Sequence, residues 1–154
     1  MSGGVEWGLH CCVVLGSASD PVPAAKLAEF HDVSPSYLAK QLQLLSRAGL
    51  VRAVQGQSGG YLLTRDPADV TVLDVVEAID GEPGFRCTEV RQRGPLAVPQ
   101  ERCVVPCPIA RVMGSADRVW RDSLRAVTIA DLTAEVGSTA LPGTLDRARE
   151  WLRS

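Results

Sequence analysis

The spacing of apolar residues along the chain predicts a mainly helical protein. In several stretches apolar positions recur every three or four residues, which is the spacing of one helix face. These stretches predict helices over residues 5–15, 22–30, 72–79, 109–127 and 129–136. From Gly137 onward the pattern is mixed and predicts no regular element, although Trp151 and Leu152 are expected to dock weakly.

A further helix is predicted from its start and stop signals. Ser34 precedes Pro35, and serine is a good helix cap while proline favours the first helical position. Gly49 predicts the end of this helix, because glycine readily adopts the left-handed conformation found there. A short turn over 31–33 separates it from the helix before it. The predicted buried stripe is Leu38, Leu42, Leu45 and Leu50.

A hairpin follows these two helices. Residues 50–54 and 61–64 have strand-like composition and flank a glycine-rich turn. Two helices joined by a short turn and followed by a hairpin form a winged helix–turn–helix. The predicted fold class is therefore mainly α with a small β-hairpin wing, together with a long dimerisation helix.

The same pattern divides the chain into four segments. Residues 1–81 form the predicted winged helix–turn–helix with its N-terminal helix. Residues 82–108 form a proline-rich loop with three cysteines, and a loop of this length is usually functional or tied down. Residues 109–136 carry the dimerisation helices, and residues 137–154 form the C-terminal tail.

Charge, read by segment, points to a polyanionic partner. The chain has 154 residues and a net charge of −2, which excludes a uniformly basic coat for nucleic acid. Between Ser34 and Arg65, however, there are four basic residues and no acid. This local basic surface predicts double-stranded DNA as a partner, although four charges are also compatible with a solvated surface.

Composition also bears on location. Hydrophobic residues make up 45% of the chain, enough for a real core. There is neither an apolar run of membrane-spanning length nor a secretory signal, and the five cysteines are an odd number. We therefore expect a cytoplasmic protein without a membrane partner, in which cysteines serve metal binding or redox chemistry.

The predicted DNA contacts lie on the helix after the turn and on the hairpin tip. A recognition helix presents polar and basic side chains at its N-terminal end, and a glycine-rich wing reaches the neighbouring minor groove. Gln41 is a candidate for a base edge, while Ser36 and Lys40 suit phosphate. The full set of candidates is Ser36, Tyr37, Lys40, Gln41, Gln57, Ser58, Gly59 and Gly60.

The cysteines fall into two groups. Cys11 and Cys12 lie in an apolar helix and are expected to be core residues. Cys87, Cys103 and Cys107 share the proline-rich loop, which is one ligand short of the usual four for an iron–sulfur cluster. These three thiols are equally compatible with a redox switch that needs no metal.

Glu6 and His10 are candidates to complete a metal site. They are four residues apart in the first predicted helix and therefore project from one face. Carboxylate and imidazole are both competent iron ligands. A surface hydrogen-bonding pair is the alternative interpretation of this spacing.

Four sequence stretches together resemble the Rrf2 family of bacterial transcriptional regulators, to which IscR and NsrR belong. The resemblance covers about residues 4–136 and is carried by 33–42, 45–51, 56–63 and 71–81. It implies a dimeric winged-helix repressor or activator whose DNA affinity depends on an iron–sulfur cluster or a thiol state. It also implies that the chain is not an enzyme and has no small-molecule substrate. We expect a repressor.

Two further stretches, 3–12 and 91–96, are similar to the RsrR-type members of this family. That similarity implies a 2Fe–2S cluster bridging two subunits, with Glu6 and His10 from one chain and two cysteines from the other. Cys103 and Cys107 are chosen for their short spacing, and Cys87 is the alternative ligand. The wide gap after Cys87 departs from the even spacing of NsrR-type 4Fe–4S members.

The predicted function is a redox-responsive, DNA-binding regulator. Trp7, adjacent to Glu6, is the candidate switch residue, because a shift of the ligand helix would move it. A cluster-free regulator that senses through thiols or zinc is the first alternative. An iron–sulfur electron-transfer protein or a winged-helix module for protein partners are the others.

Overall fold

The computed structural model describes residues 2–56, 58–82 and 84–154. These residues form seven α-helices and one two-stranded sheet. The elements are α1 (Gly3–Ser17), α2 (Ala24–Phe30), α3 (Pro35–Arg47), β1 (Val51–Val54), β2 (Gly60–Leu63), α4 (Val72–Asp80), α5 (Pro108–Arg125), α6 (Ile129–Thr139) and α7 (Thr144–Arg153). The mainly helical fold class with a hairpin wing is confirmed.

The chain forms two compact units, which we describe separately. The first contains the described residues up to Glu82 together with Leu124–Ser154. The second contains the described residues from Gly84 to Ser123, and so includes the cysteine-bearing loop and most of α5.

Helix α1 lies at the centre of the first unit. It packs against α3, α4, α6 and β2, and its buried residues include Cys11 and Cys12. A methyl group added at Gly8 would overlap the side chain of Ile79 on α4. This small residue therefore lets α4 approach the backbone of α1 closely, which places the rest of the first unit around α1.

The helix–turn–helix has the predicted boundaries. His31 and Val33 donate backbone hydrogen bonds to Leu27 and Ala28, which closes the turn after α2. Ser34 then caps α3 by accepting a hydrogen bond from the amide of Tyr37 at 3.2 Å. The predicted stripe is buried, with Leu38, Leu42 and Leu45 fully inaccessible and Leu50 3% exposed.

The wing is an antiparallel hairpin that gains a third, short partner. Val51 pairs with Leu63 at its base, and Val54 pairs with Gly60 at its tip. Val22, before α2, exchanges two backbone hydrogen bonds with Tyr61, at 3.0 and 2.8 Å. The wing is thereby fixed to the helix–turn–helix rather than projecting alone.

Two capping boxes set the starts of α4 and α6, as their threonines predict. Thr71 and Asp74 exchange side-chain and backbone hydrogen bonds, and Thr128 and Asp131 do the same. The two helix starts pair through an isolated bridge between Thr71 and Thr128.

The prediction of a mixed tail was wrong. Helix α6 continues to Thr139, and the chain then forms α7. Gly143 adopts a left-handed conformation, with φ of 75°, which permits the turn between the two helices. Half-buried Leu145, Ala148 and Leu152 have helical spacing, and the intervening charged residues hide this periodicity in the sequence.

Candidate functional site

The N-terminal end of α3 presents a polar surface to solvent. Ser36, Tyr37 and Lys40 are exposed, and Tyr37 has an exposed fraction of 40%. The Ser34 and Ser36 hydroxyls lie 3.1 Å apart beside the free amide groups of the first turn. These amides carry the positive end of the helix dipole, so this end of α3 favours an anionic group such as a phosphate.

Gln41 does not share that surface. It is 4% exposed, and its side chain approaches Gly4 of α1. Its Oε1 is buried without a hydrogen-bond partner. The expectation that Gln41 faces away from the core stripe was therefore wrong, because α1 covers this position of α3. The residue packs α3 against α1 and is not available to a base edge in this structure.

The wing tip is accessible but built around close backbone approaches. Ser58 is exposed, whereas Gly59 and Gly60 are half-buried, and Gln57 lies outside the described residues. A Cβ at Gly60 would overlap the backbone of Val22. Gly60 is therefore required for packing, a role that the glycine-rich sequence alone does not distinguish from DNA contact.

Glu6 and His10 are both exposed on α1, as the four-residue spacing predicts. The His10 ring lies 5.8 Å from the Trp7 ring and 5.5 Å from the His31 ring, measured between centroids. Trp7 and His31 are also neighbours, at 5.9 Å, so the three rings form one cluster. His31 belongs to the turn between α2 and α3, and the cluster therefore connects α1 to that turn.

His31 was not identified from the sequence as part of this site. Its Nε2 atom is buried without a hydrogen-bond partner. Burial, and secondarily the nearby charge of His10, lowers the pKa of His31 below its usual value. A lone histidine in a polar turn gave no signal of this environment, because its neighbours come from a distant helix.

Cys11 and Cys12 are core residues, as predicted. Both are fully inaccessible, and burial raises the pKa of each thiol to about 12. They remain protonated at neutral pH and are poor metal ligands and poor nucleophiles.

The second unit carries the other three thiols. Cys87 is exposed, and Cys103 and Cys107 are half-buried. Cys107 directly precedes α5, and its Sγ accepts a hydrogen bond from the amide of Ala110 at 3.3 Å. A sulfur at a helix N-terminus is stabilised in its thiolate form, which is the form that binds iron.

A cation lies within the electrostatic range of both half-buried thiols. Arg91 donates two hydrogen bonds to Glu89, at 2.5 and 2.9 Å. These bonds are the main reason that the pKa of Arg91 is raised, and negative charge at Cys103 and Cys107 raises it further. Partial burial, helix N-terminus and neighbouring arginine together fit two thiolate ligands of an iron–sulfur centre.

Glu6 and His10 belong to the first unit, and Cys103 and Cys107 to the second. Within the described part of one chain, no three His, Cys, Asp or Glu side chains are grouped so as to hold a metal ion.

A winged helix–turn–helix with an exposed polar recognition helix defines a class of DNA-binding folds. Comparison with known proteins then identifies the family. The profile of the Rrf2 family, described as iron-dependent transcriptional regulators, matches residues 1–135. The chain belongs to the Rrf2 family. Members of this family are transcriptional regulators and not enzymes.

Individual relatives match over a shorter stretch. The IscR transcriptional regulator of Cronobacter sakazakii is 43% identical over 68 residues, and that of Escherichia coli K12 is 41% identical over 68 residues. Each match covers 44% of this chain and 42% of the relative. The matched region is thus less than half the length of either relative.

Solved structures share the fold over most of the chain. T. potens IscR superposes with a TM-score of 0.68 at 23% identity, covering 92% of this chain and 90% of its own. CymR, the global cysteine regulator of B. subtilis, gives 0.65 at 22% identity, covering 88% and 96%. The oxidized form of Staphylococcus aureus CymR gives 0.64 at 22% identity, covering 86% and 94%.

None of the helices in the described residues has the length and apolar character needed to cross a membrane.

Proposed function

We propose that this protein is a DNA-binding transcriptional repressor that binds an operator as a homodimer and responds to redox state through a 2Fe–2S cluster. One observation carries the DNA-binding part of this proposal. It is the exposed surface of α3 and the wing, which contains four basic residues and no acid between Ser34 and Arg65. Acidic side chains at this surface would repel phosphate, and the sequence has none there.

The side chains of α3 have distinct roles in this proposal. Ser36 and Lys40 contact phosphates at the start of the helix, where the dipole adds to the attraction. Tyr37, exposed beside them, contacts the edge of the major groove. The wing tip, with Ser58 exposed, enters the neighbouring minor groove.

Helix α5 supplies the dimer interface. It is 18 residues long, and its apolar side chains face solvent in a single chain, a combination that marks an interaction surface. The exposed fractions are 72% for Ile109, 65% for Val112, 44% for Met113 and 69% for Val119. A second copy of α5 packed on this face would remove these residues from water.

The cluster ligands come from two chains in this proposal. Cys103 and Cys107 of one subunit provide thiolates, and Glu6 and His10 of the partner provide a carboxylate and an imidazole. The exposure of Glu6 and His10 and the thiolate-stabilising surroundings of Cys107 support this assignment. A bound 2Fe–2S cluster supplies one-electron redox chemistry. Cys87, exposed in the same loop, is the alternative thiol.

The ring cluster provides a physical connection from this site to the DNA-binding helices. His10 contacts His31, which lies in the turn that orients α3 relative to α2. Trp7 contacts both histidines, so a displacement of His10 moves Trp7 and the turn together. Because half-site spacing on DNA is geometrically strict, a small rotation of α3 changes operator affinity.

Thiol sensing without a cluster is the second candidate. Two half-buried thiols with three residues between them and an arginine nearby favour it. An oxidized form of a regulator with the same fold, S. aureus CymR, has been solved.

One experiment separates the two candidates. Protein purified without oxygen is examined by visible absorption before and after dithionite, with iron and acid-labile sulfide assayed, and its operator binding is measured in both states. Visible bands that bleach on reduction, accompanied by a change in DNA affinity, support the cluster. A colourless protein that gains no iron on reconstitution supports thiol or zinc sensing. Absence of sequence-specific retardation contradicts the DNA-binding proposal itself.

A further inference from the structure

The C-terminal helix α7 lies outside the part of the chain that the Rrf2 profile matches, which ends at residue 135. It is nevertheless fixed to the helix–turn–helix by specific contacts. The Trp151 ring lies 5.5 Å from the Phe30 ring of α2, and Lys26 of α2 sits 4.5 Å above the Trp151 ring. Arg149 donates a hydrogen bond of 2.9 Å to the carbonyl of Ser17 at the end of α1. These contacts give α7 a defined position on the DNA-binding unit.

That position brings α7 next to the wing. A concave surface of about 330 Å³ is lined by the segment before α2, by Ser58 and Gly59 of the wing, and by Arg149 and Arg153 of α7. We call this surface the wing-side cleft. It is continuous with the wing tip, which enters the minor groove in the proposed function.

The cations of α7 differ in how they are paired. Arg149 forms an ion pair of 2.8 Å with Asp146, so much of its charge is neutralised. Arg153 is exposed, and its one hydrogen bond among the described residues goes from Nε to the carbonyl of Arg149 at 3.2 Å. Its terminal nitrogens therefore face solvent at the cleft without an acidic partner among the described residues.

We propose that α7 extends the DNA interface, with Arg153 binding a backbone phosphate of the duplex beside the wing. The inference rests on the proposed DNA-binding function. A wing in the minor groove places the flanking phosphates beside its own tip, and the cleft meets the wing there through Ser58 and Gly59. Arginine suits this role because its guanidinium donates to phosphate oxygens in a fixed fork.

The acid that lines the same cleft limits where the phosphate is placed. Asp20 lies in the segment before α2, and its carboxylate repels an anion. Lys26 donates to the hydroxyl of Ser154 at 3.4 Å and holds the C-terminal end of α7. The phosphate therefore binds at the Arg153 end of the cleft, away from Asp20.

The test compares Arg153→Gln with Arg147→Gln as matched control. Both remove one positive charge from α7, but Arg147 does not line the cleft and donates to Thr144 on the same helix. Dissociation constants are measured across a range of salt concentrations, on a duplex that the wild-type protein has enriched from a random-sequence pool. Losing one phosphate contact lowers the slope of log affinity against log salt by about 0.9 per subunit. We expect this change for Arg153→Gln and not for Arg147→Gln.

A second variant separates position from charge. Trp151→Ala keeps every charge but removes the ring that anchors α7 to Phe30 and Lys26. We expect it to lower the salt slope as Arg153→Gln does, with the helix content of the remaining protein intact by circular dichroism. Equal slopes for wild type and Arg153→Gln, or equal losses for both arginine variants, overturn the inference. If the wild-type protein enriches no duplex at all, the proposed function fails, and this inference fails with it.

Discussion

At the scale of single residues, Gln41 shows how one neighbour decides a role. Its position near the start of a recognition helix is typical of a base contact, and its type suits adenine. Its side chain is nonetheless covered by α1 at Gly4, and its Oε1 lacks a partner. The sequence of α3 alone does not contain this information, because the covering residue lies 37 positions earlier in the chain.

Replacing Gln41 with methionine tests this assignment. Methionine has a similar shape and no polar atom that needs a partner, so Gln41→Met is expected to raise the free energy of unfolding by about 1–3 kcal/mol. Chemical denaturation measures this change, and DNA affinity is expected to stay within about twofold of wild type. Lys40→Gln, on the exposed face, is expected to weaken DNA binding instead. A Gln41→Met protein that folds normally but loses sequence preference would show that Gln41 reads a base.

Gly60 offers a steric test of the wing. Any side chain at this position meets the backbone of Val22, which cannot move without breaking the hydrogen bonds between Val22 and Tyr61. Gly60→Ala is therefore expected to lower the free energy of unfolding by about 1–3 kcal/mol, as overpacking does elsewhere. Gly3→Ala is the control, because a Cβ there meets only the hydroxyl of Tyr37 at an ordinary distance of 3.7 Å. Equal stability of the two variants would contradict the described packing of the wing.

The buried thiols make a prediction about pH. Burial raises the pKa of Cys11 and Cys12 to about 12, so neither forms a useful fraction of thiolate near pH 8. Iodoacetamide at pH 8 is expected to modify Cys87, Cys103 and Cys107 in the native protein, and all five cysteines only after denaturation. Mass spectrometry of tryptic peptides counts the modified sites. Rapid native modification of Cys12 would show that the core around α1 is open.

At the scale of elements, the sequence predicts most boundaries because local chemistry sets them. Ser34 starts α3, Thr71 starts α4, and Gly49 adopts the predicted left-handed conformation, with φ of 73°. Helix α7 was missed because its apolar positions, at Leu145 and Leu152, are sparse. Its stability comes from contacts to α1 and α2, and tertiary contacts of this kind leave little trace in local patterning.

The candidate site divides in the same way. The exposure of Glu6 and His10 follows from helix periodicity, and so does the burial of Cys11 and Cys12. The ring cluster at His31 and the ion pair of Arg91 with Glu89 do not, because each depends on side chains brought together by turns. Sequence thus indicates which residues carry chemistry and says less about what surrounds them.

Helix α5 predicts a measurable oligomeric state. Val119 is 69% exposed in a single chain, and the dimer proposal buries it. Val119→Asp is expected to yield monomers by light scattering coupled to size exclusion, because a buried unpaired charge is costly. Arg118→Asp, one residue away and also exposed, is the control and should leave the dimer intact. A Val119→Asp protein that remains dimeric would place the interface elsewhere.

At the scale of the whole molecule, the proposed site exists only when two chains combine. The carboxylate and imidazole candidates belong to the first unit, and the thiols belong to the second. A site shared between subunits couples ligand geometry to the relative position of two recognition helices, and operator binding depends on that position. Redox control and DNA recognition are in this way properties of the dimer.

The most direct measurement of this claim uses mixed dimers. One chain carries Glu6→Ala with His10→Ala, the other carries Cys103→Ala with Cys107→Ala, and two different tags isolate the mixed dimer without oxygen. Each doubly substituted homodimer lacks every complete ligand set, whereas the mixed dimer retains one. We predict colourless homodimers and a mixed dimer with visible bands and about half the iron of the wild type. A mixed dimer as colourless as its parents, or a homodimer that keeps the wild-type bands, would contradict a cluster shared between subunits.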